Sequence, residues 1–205
     1  MNIRHFIFDL DGTLIDTEKA VLLTWKETLK EYGYDFTLDD MKVVLGVTTD
    51  IGLERLQVHV DENYVQKWKN NYGKYIFETD FFPQVKEMLL SLKNKGYSLG
   101  IVSSRSREEY EKYFQMFHLE DYFTTVVLED DTIKHKPHPE PLYKYMELTH
   151  ANTCECIYIG DMPSDIQCAF NANVLSGFIT WNDSGMICSE AQMIFKQPLE
   201  ICKLI

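Results

Sequence analysis

Apolar and polar positions change period along this chain, and the changes divide it. Ile3 to Phe8 reads as a short buried strand that ends on acidic residues. The next block is helical in pattern. Thr17 is placed to cap a helix whose apolar positions Val21, Leu22, Trp25 and Leu29 keep helical spacing until Gly33. Thr37 with Asp40 resembles a capping-box start for Met41 to Leu45. Asp50 opens a segment through Leu56, and Asp61 opens one carrying Tyr64, Val65, Trp68 and Tyr75. No convincing strand lies between residues 17 and 80. From Pro83, at a first helical position, Val85, Met88, Leu89 and Leu92 form a stripe that Gly96 ends. Strands at Ser98 to Ser103, Thr124 to Leu128, Cys156 to Gly160 and Leu175 to Thr180 then alternate with helices near 107–117, 139–149 and 163–171.

Alternation of this kind predicts an α/β fold, a doubly wound parallel sheet, because parallel neighbours need a crossover helix between them. The helical block interrupts it after the first strand. The expected organisation is a core of residues 1–16 and 81–205 carrying an inserted all-α cap of residues 17–80. Ligands of such sheets bind beyond the carboxyl ends of the strands, where Asp9, Ser103 and Asp161 all fall.

Composition narrows the partners. The 205 residues are 45% hydrophobic, enough for a sizeable core, and 20 Lys plus Arg against 32 Asp plus Glu give a net charge of -12. That field argues against nucleic acid and anionic membranes, and no apolar run approaches the roughly 20 residues of a membrane span. Five cysteines, an odd set without CxxC spacing, and no apparent secretory leader fit a reducing cytoplasm. Cys154 and Cys156 are expected to be small buried thiols on a strand edge.

The most specific chemistry lies at the first strand's end, in FIFDLDGTLIDTE. Strand alternation aims Asp9 and Asp11 to the same side, and Gly12 lets the backbone turn close to whatever binds there. Two converging carboxylates point to a metal site or an acid/base couple. Ser103, in GIVSSR, ends a strand before a helix that Ser106 and Glu109 open as a capping box. Read alone, Ser103 is a turn residue. Lys136, in KPHP, sits in a loop restricted by Pro137 and Pro139. Asp161 and Asp165, in GDMPSD, are spaced to share a helix face. Asp165 is either part of the acidic site or a compensating charge at a helix start.

Together, in this order, DLDGT, the strand-end serine, the lysine and GDMPSD resemble the haloacid dehalogenase superfamily of aspartate-nucleophile phosphohydrolases, in its phosphoglycolate phosphatase-like branch. The resemblance spans nearly the whole chain. It implies Asp9 as nucleophile, Asp11 as general acid and base, and Lys136 as the cation that offsets their charge. It implies phosphate binding by Ser103 and Ser104 with the Gly12 and Thr13 loop, and Mg2+ held by Asp9, Asp161, Asp165 and the backbone carbonyl of Asp11. The implied substrate is a small phosphate ester, handled by a monomer or homodimer. A phosphomutase of the beta-phosphoglucomutase type uses the same aspartates; dehalogenase chemistry needs no acid at Asp11. A phosphoacceptor signalling or binding module is the reading from another class, disfavoured because receivers place their acidic pair and phosphoacceptor on different strands. Met162 and Pro163 depart from the pattern, and Asn173 stands where a glycine is expected, a left-handed position that Asn tolerates. Arg105 is either a substrate contact or a solvated loop arginine and is left outside the candidate site, and His135 and His138 are read as polar loop residues. Thr48, Thr49 and Asp50 are candidate specificity contacts or a helix start.

Overall fold

The computed structural model describes residues 2–45, 49–182 and 184–205. Its main sheet has six strands in the order β5-β4-β1-β6-β7-β8: β1 (His5–Phe8), β4 (Ser98–Val102), β5 (Thr125–Val127), β6 (Cys156–Gly160), β7 (Leu175–Ile179) and β8 (Met193–Phe195). Every pairing is parallel. The register sets Phe8 beside Ile101 on one side and Ile159 on the other. Phe6, Ile7, Phe8 and nearly all of β6 are buried, as strands covered on both faces require. Helices α5 (Val85–Asn94), α6 (Arg107–Tyr113), α7 (Glu140–Thr149) and α8 (Pro163–Asn171) supply the crossovers. The chain leaves β1 toward β4 and β5, then returns to its other side with β6. Beyond the carboxyl end of β1 lies the crevice that this reversal creates.

Packing divides the chain into two compact units, residues 1–15 with 81–205, and residues 16–80. The inserted unit contains α1 (Glu18–Lys30), α2 (Leu38–Met41), α3 (Thr49–Leu56) and α4 (Tyr64–Tyr72). Leu22, Trp25, Leu29, Met41, Val44, Val58 and Tyr64 form its own core. Where the chain passes between units, β2 (Ile15–Asp16) and β3 (Asp80–Phe81) pair as a two-stranded sheet. Two-residue strands carry too few side chains to show a period, which is why the pattern did not reveal them.

Local chemistry corrects several helix starts. Thr17 is at the N-cap of α1, yet its buried side chain makes no capping hydrogen bond there. Pro83 lies in a turn, and α5 begins at Val85 after Gln84 in the left-handed region, at φ 69°. Asp61 does not open α4, whose N-cap is Asn63; its Oδ1 instead accepts from Asn63 N and from the Tyr32 hydroxyl. The boxes at Thr37 with Asp40 and at Ser106 with Glu109 form as expected. Asn173 is left-handed, at φ 57°, in the expected glycine's place. Cys156 is buried, whereas Cys154 is exposed because it precedes the strand in a 3-10 turn.

Candidate active site

Three loops leaving adjacent strands converge on one acidic cluster. Asp9 extends β1, and its backbone N–H still donates to Ile159 O at 2.9 Å, so the sheet fixes where the carboxylate starts. Asp161 follows β6 directly, and Asp165 lies in the first turn of α8. Carboxylate oxygens of Asp9, Asp161 and Asp165 all fall within 4.8 Å of one another, and all three residues are buried. Lys136 stands between two of them, its Nζ 2.7 Å from Asp9 Oδ1 and 2.7 Å from Asp165 Oδ1. The Lys136-Pro137 bond is cis.

One lysine cannot neutralise three buried carboxylates. Burial pushes the Asp9 carboxyl up to about 7; the Lys136 charge opposes the rise, and Asp165 and Asp11 add to it. Asp161 is also raised well above its ordinary value, by burial first and then by Asp9 and Asp165. Burial works against the Lys136 ammonium, but the two carboxylates outweigh it and hold its pKa above the ordinary value. The donor set, oxygen only and short of positive charge, suits a hard divalent cation such as Mg2+.

The expected site residues are placed as follows. Gly12, at φ 75°, passes so close to Asp161 that a Cβ there would fall 2.5 Å from its Oδ2. Thr13 is fully buried and donates its hydroxyl to Asp161 Oδ1 at 3.1 Å, so the contact seen is to the cluster itself. Ser103 continues the β4 line, its N–H on Val127 O at 3.0 Å, while its Oγ accepts from Arg105 N at 3.2 Å. Ser104 is exposed in the same loop. Asp165 combines both of its sequence readings: Oδ2 accepts from Met162 N at 3.0 Å at the helix start, and Oδ1 takes Lys136. Thr49 and Asp50 begin α3, and Thr48 lies outside the described residues.

Four residues that the sequence did not place in the site join it, three of them never singled out. Asn182 Nδ2 donates to Gly12 O and to Asp161 Oδ2, each at 3.0 Å, and Trp181 Nε1 donates to Thr13 O at 3.0 Å. No motif marks these two; only the return of β7 brings them there. The Tyr158 hydroxyl lies 2.9 Å from Val102 O and 3.1 Å from Asp165 Oδ1. Its signal was a polar tip inside an otherwise apolar strand, a group that needs a buried partner. Arg105 is not a solvated loop arginine. Its side chain is 12% exposed and forks onto Asp11, with Nε 3.0 Å from Oδ2 and an Nη 2.7 Å from Oδ1.

Comparison with known proteins decides the family. The haloacid dehalogenase-like hydrolase family model matches residues 6–179, which include every strand-end residue of this cluster. The chain belongs to the haloacid dehalogenase-like hydrolases. Within the family it is 32% identical over 197 residues to the pyrophosphatase PpaX of Bacillus cereus, covering 93% of this chain and 89% of that protein. Its fold is similar to a candidate phosphoglycolate phosphatase of Lactobacillus plantarum, with a TM-score of 0.86 at 24% identity and 100% coverage of both chains. A candidate beta-phosphoglucomutase of Thermotoga maritima has the same fold, with a TM-score of 0.79 at 23% identity over 99% of this chain and 100% of the other. The chain is therefore a haloacid dehalogenase-like phosphohydrolase with a carboxylate cluster at the carboxyl ends of its strands.

Proposed function

We propose that this protein is a Mg2+-dependent phosphatase that hydrolyses a small phosphorylated metabolite through a phosphoaspartate at Asp9. The observation that carries the reading is the buried cluster in which Lys136 bridges Asp9 and Asp165 while Asp161 closes the third side. Asp9 Oδ1 is held by Lys136, which directs the carboxylate and leaves its other oxygen for attack on phosphorus. Asp11 protonates the leaving-group oxygen and then takes a proton from the water that hydrolyses the intermediate. Ser103, Ser104 and the amides of the Gly12 to Thr13 turn hold the phosphoryl oxygens, and Lys136 offsets charge on the acyl phosphate.

Asp9, Asp161 and the backbone carbonyl of Asp11 would hold Mg2+, with Asp165, fully buried and ion-paired to Lys136, behind them. The ion supplies the positive charge that the cluster lacks and that a phosphate dianion needs. Residues 17–80 are assigned the cap role, substrate selection, because no catalytic motif falls within them.

Likeness to the pyrophosphatase PpaX favours pyrophosphate as one substrate to examine. The deciding experiment is a Mg2+-supplemented screen of phosphate monoesters and pyrophosphate, with wild type beside Asp9→Asn. Phosphate release by wild type alone supports the reading. Release by both refutes Asp9 as nucleophile. Conversion of a sugar 1-phosphate to its 6-phosphate without free phosphate assigns a mutase, and stable phosphorylation without turnover assigns a phosphoacceptor module.

A further inference from the structure

The arginine that sequence reasoning set aside is the best-held cation near the candidate acid. Both Asp11 oxygens are spent on the Arg105 fork, at 2.7 Å and 3.0 Å. The same guanidinium stands 3.7 Å from Glu109 and 5.5 Å from the Phe114 ring centroid, and its backbone N–H binds the Ser103 hydroxyl oxygen. A bidentate pair of this kind is directional and charge-assisted, and it must open before Asp11 can reach a substrate oxygen. The scissile phosphoryl group already has Lys136, Ser103 and loop amides assigned to it. Arg105 instead sits where Asp11 acts, on the side of the leaving group.

We propose that Arg105 is a specificity-determining residue that reads an anionic leaving group: it holds Asp11 in the free protein and exchanges it for a carboxylate or phosphate on the leaving group, which frees Asp11 for the leaving oxygen. This rests on the phosphatase reading above. The exchange forms and breaks no covalent bond; one ion pair replaces another. A carboxylate or phosphate presents the same two-oxygen edge to the fork as Asp11 does, and Glu109 and Phe114 keep the guanidinium partnered as it turns. A neutral leaving group offers no replacement anion, so opening the pair strips a half-buried cation of its main partner. The favoured class is thus a phosphate ester or anhydride whose leaving group is itself negatively charged.

The test compares wild type, Arg105→Gln and Arg105→Lys on phosphoglycolate and pyrophosphate, with anionic leaving groups, and on ethyl and phenyl phosphate, with neutral ones. Arg105→Gln is expected to lower kcat/KM at least about tenfold for the anionic pair, mainly through KM, as loss of a charge-assisted hydrogen bond implies. It is expected to raise kcat/KM for the neutral pair, because no ion pair then has to open. Arg105→Lys, which keeps the charge without the fork, falls between. Equal losses on all four substrates, or no loss on the anionic pair, overturn the proposal. Calorimetric binding of phosphoglycolate to Asp9→Asn and to Asp9→Asn/Arg105→Gln reads the contact without turnover. An affinity at least about tenfold weaker in the double variant is expected, and equal affinity overturns it. Turnover retained by Asp9→Asn, or absent from wild type, refutes the phosphatase reading instead, while the binding arm still decides Arg105.

Discussion

The sheet unit and the inserted helical unit solve different problems with their polar groups. In the sheet unit, four charged side chains are buried together and nearly every oxygen has a named partner: Lys136 on Asp9 and Asp165, Thr13 and Asn182 on Asp161, Met162 N on Asp165. In the helical unit the core is uncharged, aliphatic side chains with aromatic ones among them, Trp25 against Tyr64 and Trp68 stacked on Tyr72, and the Tyr64 hydroxyl and Trp68 Nε1 have no hydrogen-bond partner among the described residues. The first arrangement is expensive to bury, and removal of its one lysine strands three carboxylates. The second is held by area and shape, so it can drift in sequence while keeping its volume. Chemistry belongs where geometry is overdetermined.

That contrast is broken most directly at Asp9. Asp9→Asn keeps the shape and removes the oxygen proposed to attack, so turnover should fall by about a thousandfold or more with the fold intact by circular dichroism. Removing a buried charge that burial disfavours should leave metal-free Tm equal to or above wild type. A variant that loses Tm and activity together would show that Asp9 holds the fold and would erase the distinction. Lys136→Met should do both kinds of damage: it leaves three buried carboxylates without their cation, a loss of about 3–5 kcal/mol in denaturant unfolding. Trp25→Ala in the helical unit should cost a similar ~3–5 kcal/mol through cavity formation alone, without any effect of pH or Mg2+ on the size of the loss.

Metal and pH sharpen the comparison at smaller scale. The Asp9 carboxyl is raised from an ordinary 3.8 to about 7 in the folded chain. Between those values the folded state holds a proton that the unfolded state has released, so the contribution of this group to metal-free stability is fully present below about 3.8 and is lost as pH rises through about 7. Mg2+ held as proposed would compete with that proton for the same oxygens. Thermal melts should therefore show a larger Mg2+-induced rise in Tm at pH 8 than at pH 6, with EDTA restoring the low value. An equal rise at both pH values would place the ion elsewhere.

How much of this was legible depended on whether a residue's partner lay in its own pattern. Asp9, Asp161 and Lys136 could be read because strand ends and proline-restricted loops fix them locally, and the parallel sheet then had one place to bring them. Arg105 could not, since whether a loop arginine is solvated or forked depends on a carboxylate 94 residues away in sequence. Asn182 and Trp181 were hidden for the same reason. β8 was missed because its three residues show too little alternation, and Pro83 misled because a residue suited to a first helical position also suits a turn. The helical unit's existence was plain from its spacing, but its contacts, such as Trp25 against Tyr64, depend on how short helices pack.

The finest test lies inside that packing. Gly52 is buried in α3, and a Cβ placed there would fall 2.8 Å from the tip of the Trp25 ring and 3.4 Å from the Val44 Cβ. Alanine is the better helix former by up to about 1 kcal/mol, so an unobstructed Gly52→Ala would stabilise. The ring cannot yield freely, because Trp25 is itself buried, with Tyr64 tilted against it at 5.5 Å. Overpacking should therefore outweigh propensity, for a net loss of about 1 kcal/mol in denaturant unfolding. Trp25→Phe removes the obstructing ring, and in that background the same Gly52→Ala change should become neutral or stabilising. Additive losses in the double variant would mean that shape complementarity does not govern this unit, and the comparison with the charge-locked cluster would lose its second half.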